Sequence, residues 1–357
     1  MMNTSVVNEM SVSVDWISFT VMDPVYDVNA VMDFLGFDAS FFHDTGHGAM
    51  GYKSLHKLSD YAVSVLSDGR EDMGVHVTIS GSAVSHVLTH FWESQFVHSN
   101  PFNEDKCADW DDVCMDALRL FFTKVLEIGR FTRVDLALDD HKVHFTPDGI
   151  RNYIESNQMV SKFRSGRREE GFDIAGNTCI GDTLYLGSRK SEVMLRIYDK
   201  ALEQKQKHPD MEISEEPWVR WEFEFTAGRA DQLAHQLIEH DSIGMLFFKV
   251  LNNYVRLIIP SDKNRSRCPM LPAWARFIGC IDSLRLYCPP VEKTLDDKRN
   301  WIVKQVLPTL TGIIIADGGT LDIITEHWDK AVDRMSNSMQ AMVERALRGM
   351  DKNSFDF

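Results

Sequence analysis

The chain has 357 residues, 44% hydrophobic and 25% charged, with a formal net charge of −15. That length and composition describe a globular protein with more than one small core to fill. No apolar run approaches the roughly 18–20 residues of a membrane span, and the N-terminus lacks a basic region followed by an apolar block, so a cytoplasmic protein with no membrane partner is expected.

The acidity is uneven. Residues 1–110 hold 15 acids and 4 bases, and the rest hold 38 and 34, which leaves the later basic clusters free to act locally. The six cysteines form no CxxC pair and are expected to be reduced structural thiols.

In chain order, "VSVDWISFTV" predicts a strand and "DVNAVMDFLGF" a helix. "GAMGYKSLHKLSDYAVSVLSDGREDMGVHVTISG" predicts short strands broken by Gly, Asp and Ser turns. "SAVSHVLTHFWESQ" and "DWDDVCMDALRLFFTKVLEIG" have the apolar spacing of helices.

The pattern then restarts. "FTRVDLALDD" predicts a strand, "TPDGIRNYIESN" a capped helix, and "DTLYLGSRKSEVMLRIYDK" a hairpin turning at "SRKS". A helix start at "ALEQKQK", a strand at "WVRWEFEFTAG" and a helix at "ADQLAHQLIEH" follow. Aligning "SVDWIS" with "RVDLAL" sets Asp15 against Asp135, and Thr78 lies as far beyond the first as Tyr198 beyond the second, 63 residues. That spacing suggests two duplicated halves, 1–128 and 129–290. From 291 to 357 a helical region is expected, opening after two prolines with a Thr294/Asp297 capping pattern. The expected class is α+β: antiparallel sheets with helices on one face, plus a C-terminal helical segment.

Alternation along a strand sorts its residues into two faces. Val134, Leu136 and Leu138 oppose Arg133, Asp135 and Asp139; Leu195 and Ile197 oppose Arg196, Tyr198 and Lys200; Trp221, Phe223 and Phe225 oppose Arg220, Glu222 and Glu224. Each strand thus has an apolar face for helices and a face crowded with ionisable groups. If these strands are neighbours, Asp135 faces Glu222 or Glu224, and such a set of carboxylates suits Mg²⁺ or Mn²⁺. A phenol is a poor nucleophile without help. Beside a metal and Arg196 or Lys200, Tyr198 is placed to attack a phosphodiester, leaving a 5′-phosphotyrosine and a 3′-hydroxyl.

Three basic stretches are candidates for phosphate contact. They are Lys162, Arg164, Arg167 and Arg168 on a Gly-containing loop around Phe163; Lys263, Arg265 and Arg267; and Arg189 with Lys190 at the turn into the tyrosine strand. Phe163 is read as a core anchor rather than a base-stacking ring, and His141 and His144 as surface residues.

The order "DWIS", "GYKS", "VHVTISG", "TRVDLALDD", "LYLGSRKSEVMLRIYDKALE", "WVRWEFEF" and "KRNWIVKQVLPTL" resembles the replication initiation factor (Rep_trans) family, and the length and ends are most similar to replication proteins of CTX-type filamentous phages. The resemblance implies an HUH-like fold and a metal-dependent DNA nickase and ligase acting at an origin. Tyr198 matches the family's Y-[DN]-K tyrosine, Asp135 its R-x-D aspartate and Glu222 its R-x-E glutamate; no His-hydrophobe-His triplet is present. Leu202, one helical turn after Tyr198, excludes a second tyrosine there, so closing the circle needs a second subunit's tyrosine or another nucleophile, which favours a working homodimer. The implied partners are single-stranded or supercoiled origin DNA and a host helicase. The alternatives are a relaxase of a conjugative element and a non-catalytic origin-binding protein of the same fold.

Overall fold

In a computed structural model, the described residues are 10–58, 61–95, 110–207, 216–279, 302, 306–335, 339–340, 343–344 and 347. The chain divides into two compact units, Met1–Cys288 and Pro289–Phe357. The first is built on strands β1 (Met10–Val21), β2 (Phe42–Asp44), β3 (Ser54–Leu58), β4 (Val63–Ser67), β5 (Val75–Ser80), β6 (Gly129–Asp140), β7 (Met159–Ser161), β8 (Gly166–Asp173), β9 (Thr178–Leu186), β10 (Val193–Asp199), β11 (Val219–Thr226) and β12 (Val255–Leu257). Its helices are α1 (Val28–Phe34), α2 (Ala83–Gln95), α3 (Trp110–Ile128), α4 (Pro147–Glu155), α5 (Lys200–Lys207), α6 (Gly228–Glu239), α7 (Ile243–Tyr254) and α8 (Pro272–Ile278).

Local chemistry sets several boundaries. Asp27 caps α1 by accepting from the Ala30 amide, and Thr146 caps α4 by accepting from Gly149, with Pro147 in the first turn where its missing N–H costs nothing. In α3 the buried Ala117, Leu118, Phe121, Phe122 and Val125 form one helical stripe.

Ten strands form one sheet in the order β2-β3-β4-β5-β1-β6-β11-β10-β9-β8, and β12 pairs with β7 separately. Every ladder is antiparallel. The apolar face carries Ile17, Phe19, Val77, Leu136, Leu195, Ile197, Trp221 and Phe223, and packs with residues of α1, α2, α3, α4, α6, α7 and α8 into a single core. Burying each such side chain contributes about 1.5–3 kcal/mol.

Helix α5 departs from the one-faced arrangement. None of its residues joins that core, and Glu203 and Gln206 instead line a cavity on the polar face with Tyr198. The polarity of "KALEQKQK" explains this, since it offers no apolar stripe to bury. A second departure is β8: the stretch expected to be a basic loop enters a strand at Gly166, so Arg167 and Arg168 point to opposite faces of a ladder with β9.

The two halves of the sheet are related by register. In the β1–β6 ladder Ile17 pairs with Val134, and the partners on either side are symmetric about that pair: Trp16 with Asp135 and Ser18 with Arg133, Val14 with Leu136 and Phe19 with Phe131. The bulges are symmetric as well, at Asp15 and Thr132. This relation makes β5 the counterpart of β11 and β4 the counterpart of β10. The sequence alignment of Asp15 with Asp135 and Thr78 with Tyr198 is therefore corrected: Ser18 occupies the place of Asp135, and Thr78 that of Glu224.

In the second unit, a helix spans Leu307–Ala316, with shorter helical segments at Asp322–Thr325 and Trp328–Asp333. The Thr294/Asp297 capping pattern lies outside the described residues.

Candidate active site

The ionic residues stand in rows across the polar face. One row runs Trp16, Asp135, Glu224 and Met194; the next runs Ala137, Glu222, Arg196, Tyr185 and Arg167; a third runs Asp139, Arg220, Tyr198 and Thr183. The ladders thus bring Asp135, Glu222, Glu224, Arg196 and Tyr198 onto one surface, three of them buried to within a few per cent: Asp135 and Glu222 at 1% exposed and Tyr198 at 6%.

Within this cluster the Tyr198 hydroxyl donates to Oε2 of Glu222 at 3.1 Å, and Arg196 donates to Oε1 of the same carboxylate. Arg133 grips Asp135 with two bonds, Nε to Oδ1 at 2.9 Å and Nη2 to Oδ2 at 2.6 Å, and its Nη2 also reaches Glu224 at 2.9 Å. Lys200 is buried with its Nζ 5.6 Å from the centre of the Tyr198 ring, but that charge is shared with Glu203 at 2.5 Å. Burial, with repulsion from Glu222, pushes the Tyr198 phenol well above its ordinary value. Burial likewise raises Asp135, to about 7, against the pull of Arg133 and with the help of Glu222 and Glu224.

Beside Tyr198 in the third row sits a second, structural ion cluster. Arg220, its register partner, donates to both oxygens of Asp139 at 2.7 and 2.8 Å and to Asp15 at 2.9 Å, while Trp218 Nε1 donates to Asp139 at 2.7 Å. Arg133 and Arg220 stood on the charged faces in sequence without a role. The signal that could have found them is their two-residue spacing from Asp135 and Glu222, which fixes them on the carboxylate face.

The first half has no such charges. At the places of Asp135, Glu222, Glu224 and Arg196 it carries Ser18, His76, Thr78 and Leu66. Neutral hydrogen bonds join them: Ser18 to Thr78 at 3.1 Å and Thr20 to His76 Nδ1 at 2.9 Å.

The basic candidates separate into groups. Arg164, Arg167, Arg168 and Arg265 line one cavity of about 500 Å³ with Arg151, Phe163, Leu184 and Leu186. Arg168 is tied to Asp148, Asp182 and Glu170, and Arg265 to the Met159 carbonyl. Lys162 donates to Asn253 at 2.6 Å. Arg189 and Lys190 are exposed in the β9–β10 turn, apart from that cavity, as are Lys263 and Arg267 in their own loop. Phe163 is anchored, its ring stacked on Tyr254 at 5.1 Å. His141 stacks on Trp218, and His144 Nδ1 lies 2.9 Å from Asp140.

Residues 129–341, which include the whole ionic cluster, match the replication initiation factor family. The chain belongs to that family. Over 320 residues it is 28% identical to NicK of Bacillus subtilis (strain 168), named as a DNA relaxase, with 88% of this chain and 84% of NicK covered. The solved rolling-circle replication initiator protein of Geobacillus stearothermophilus superposes with a TM-score of 0.61 at 24% identity, over 78% of this chain and 98% of that one. At that identity the likeness is one of fold: a large antiparallel sheet with helices. Among the described residues no helix is long and apolar enough to cross a membrane.

Proposed function

We propose that this member of the replication initiation factor family starts rolling-circle replication of a plasmid or phage by nicking and rejoining origin DNA through Tyr198. The observation that carries the reading is the hydrogen bond from the Tyr198 phenol to Glu222, set among arginines able to hold a phosphate. A phenol with so high a pKa is not ionised in advance, so it must lose its proton as it attacks. Glu222 Oε2 already accepts that hydrogen bond and serves as the base. The phenolic oxygen bonds to phosphorus, the bond from phosphorus to O3′ breaks, and the leaving oxygen takes a proton from solvent. The products are a 5′-phosphotyrosyl bond and a 3′-hydroxyl, and rejoining is the reverse. Arg196 and Lys200 face the charge that develops on the phosphate.

The acids fit a hard divalent cation in kind. Burial is the main cause of the raised Asp135, with repulsion from Glu222 and Glu224 adding to it, and a cation among the three acids would relieve that repulsion. Among the described residues no three acids enclose an ion by themselves. Mg²⁺ commonly binds through one or two carboxylates together with substrate phosphates, which is compatible with this set. Asp135, Glu222 and Glu224 would hold Mg²⁺ or Mn²⁺, which would polarise a non-bridging phosphate oxygen.

With Leu202 in place of a second tyrosine, closing the circle falls to the Tyr198 of a second subunit, so the working form is a homodimer, with a host helicase opening the duplex ahead. A second reading, a relaxase of a conjugative element, draws on the likeness to NicK and differs only in the origin served.

The test is covalent capture on labelled single-stranded origin DNA with Mg²⁺ or Mn²⁺. A metal-dependent protein adduct that vanishes in Tyr198→Phe is the expected result. Tight binding with neither adduct nor cleavage would instead make the chain a non-catalytic origin-binding protein.

A further inference from the structure

Two arginine–aromatic pairs flank the ionic cluster on the polar face. On one side the Arg133 guanidinium lies 4.3 Å from the centre of the Trp16 ring, and Trp16 is the register partner of Asp135. On the other, Arg167 lies 4.2 Å from the Tyr185 ring, and Tyr185 is the register partner of Arg196. Both rings are half-buried, and neither takes part in the hydrophobic core. Tyr185 also lines the cavity of about 160 Å³ that contains Tyr198 and Arg196. Trp16 also donates Nε1 to Ser18 at 2.8 Å, which fixes its edge and leaves its ring outside the apolar core.

We infer that the polar face is a track for single-stranded DNA, in which Trp16 and Tyr185 stack on bases on opposite sides of the phosphate presented to Tyr198. The inference rests on the nicking reading and adds the residues that position its substrate. Every base has a π-face, so an aromatic platform holds any sequence, while the neighbouring guanidiniums, Arg133 paired with Asp135 and Glu224 and Arg167 with Glu169, hold the rings in place. In a duplex those faces are stacked on each other, so only an unpaired strand can lie this way. Strand spacing gives the track a direction. Tyr185 is one strand and one row from Tyr198, about 8 Å, and Trp16 is three strands and two rows away, about 20 Å. Tyr185 therefore serves the nucleotide next to the cut and Trp16 one farther along. Trp16 belongs to the first half of the sheet, which gives the half without the ionic cluster a part in substrate binding.

The experiment uses the full chain in a Tyr198→Phe background and reads binding of a fluorescent dT12 oligonucleotide by anisotropy. Trp16→Ala and Tyr185→Ala are each expected to weaken binding roughly five- to a hundredfold, while Trp16→Phe and Tyr185→Phe stay within about threefold. A backbone of abasic sites should bind the parent as weakly as it binds the double alanine variant. Alanine variants that keep the parent's melting temperature and bind dT12 within twofold would overturn the track. So would phenylalanine variants as weak as the alanine ones, or a parent indifferent to the loss of bases. Covalent capture with Tyr198 restored separates the two readings: stacking without an adduct removes the nicking and keeps the track, and an adduct with normal alanine variants does the opposite.

Discussion

Tyr198 and Glu222 sit on adjacent strands, offset by one row of the ladder, with the phenol donating to the carboxylate at 3.1 Å. The same carboxylate is held by Arg196, so Glu222 is both oriented and ready to accept a proton. Glu222→Gln keeps the shape but cannot take the proton. It is expected to slow nicking by about 10²–10⁴-fold. Single-turnover cleavage measured beside oligonucleotide binding checks this: a variant that binds and cleaves like the parent removes Glu222 from the role of base.

Asp135 gives a pH signature in the metal-free protein. Its pKa is raised by burial from 3.8 to about 7, so between those values the folded state keeps a proton that the unfolded chain has released. Stability is therefore expected to fall as pH rises through that window, with the loss complete above about 7. Asp135→Asn removes the titration and flattens the curve. Urea midpoints at pH 5 and pH 8 in EDTA decide it, and parallel slopes for parent and variant would refute the assignment.

How far the site was legible depended on whether a rule of two was enough. Alternation placed Asp135, Arg196, Tyr198, Glu222 and Glu224 on charged faces, and sheet order then put those faces side by side. What alternation cannot supply is register across a bulge. Asp15 resembles Asp135 in sequence, yet it is the bulged residue, and its carboxylate crosses to Arg220. The same limit hid β8: "SGRREEG" has no apolar alternation, because edge position and ion pairs to Asp148 and Asp182 hold Arg168 where a buried aliphatic would otherwise be expected. The chemistry of α5 was legible as a helix start but not as a wall of the Tyr198 cavity, which depends on tertiary placement.

Arg220 supplies a stability test. Its guanidinium compensates the buried Asp139 and is itself only 9% exposed. Arg220→Ala leaves that carboxylate without its partner and is expected to cost about 3–5 kcal/mol. Urea unfolding measures it. A loss below about 1 kcal/mol would mean that solvent reaches Asp139 and that the pair is not structural.

Arg164 and Arg168 were equivalent in sequence and are not in the structure. Arg168 is committed to Asp148, Asp182 and Glu170, whereas Arg164 is exposed, with no ion pair recorded among the described residues. A guanidinium already neutralised by carboxylates releases few counterions when DNA binds, and a free one releases its full share. Arg164→Ala should therefore weaken single-stranded DNA binding and lower the slope of log K against log salt by about 0.7. Arg168→Ala should leave that slope unchanged while lowering the melting temperature. Salt titrations of both variants discriminate: a slope change confined to Arg168→Ala would mean that its carboxylate partners give way to DNA, and would reverse the assignment.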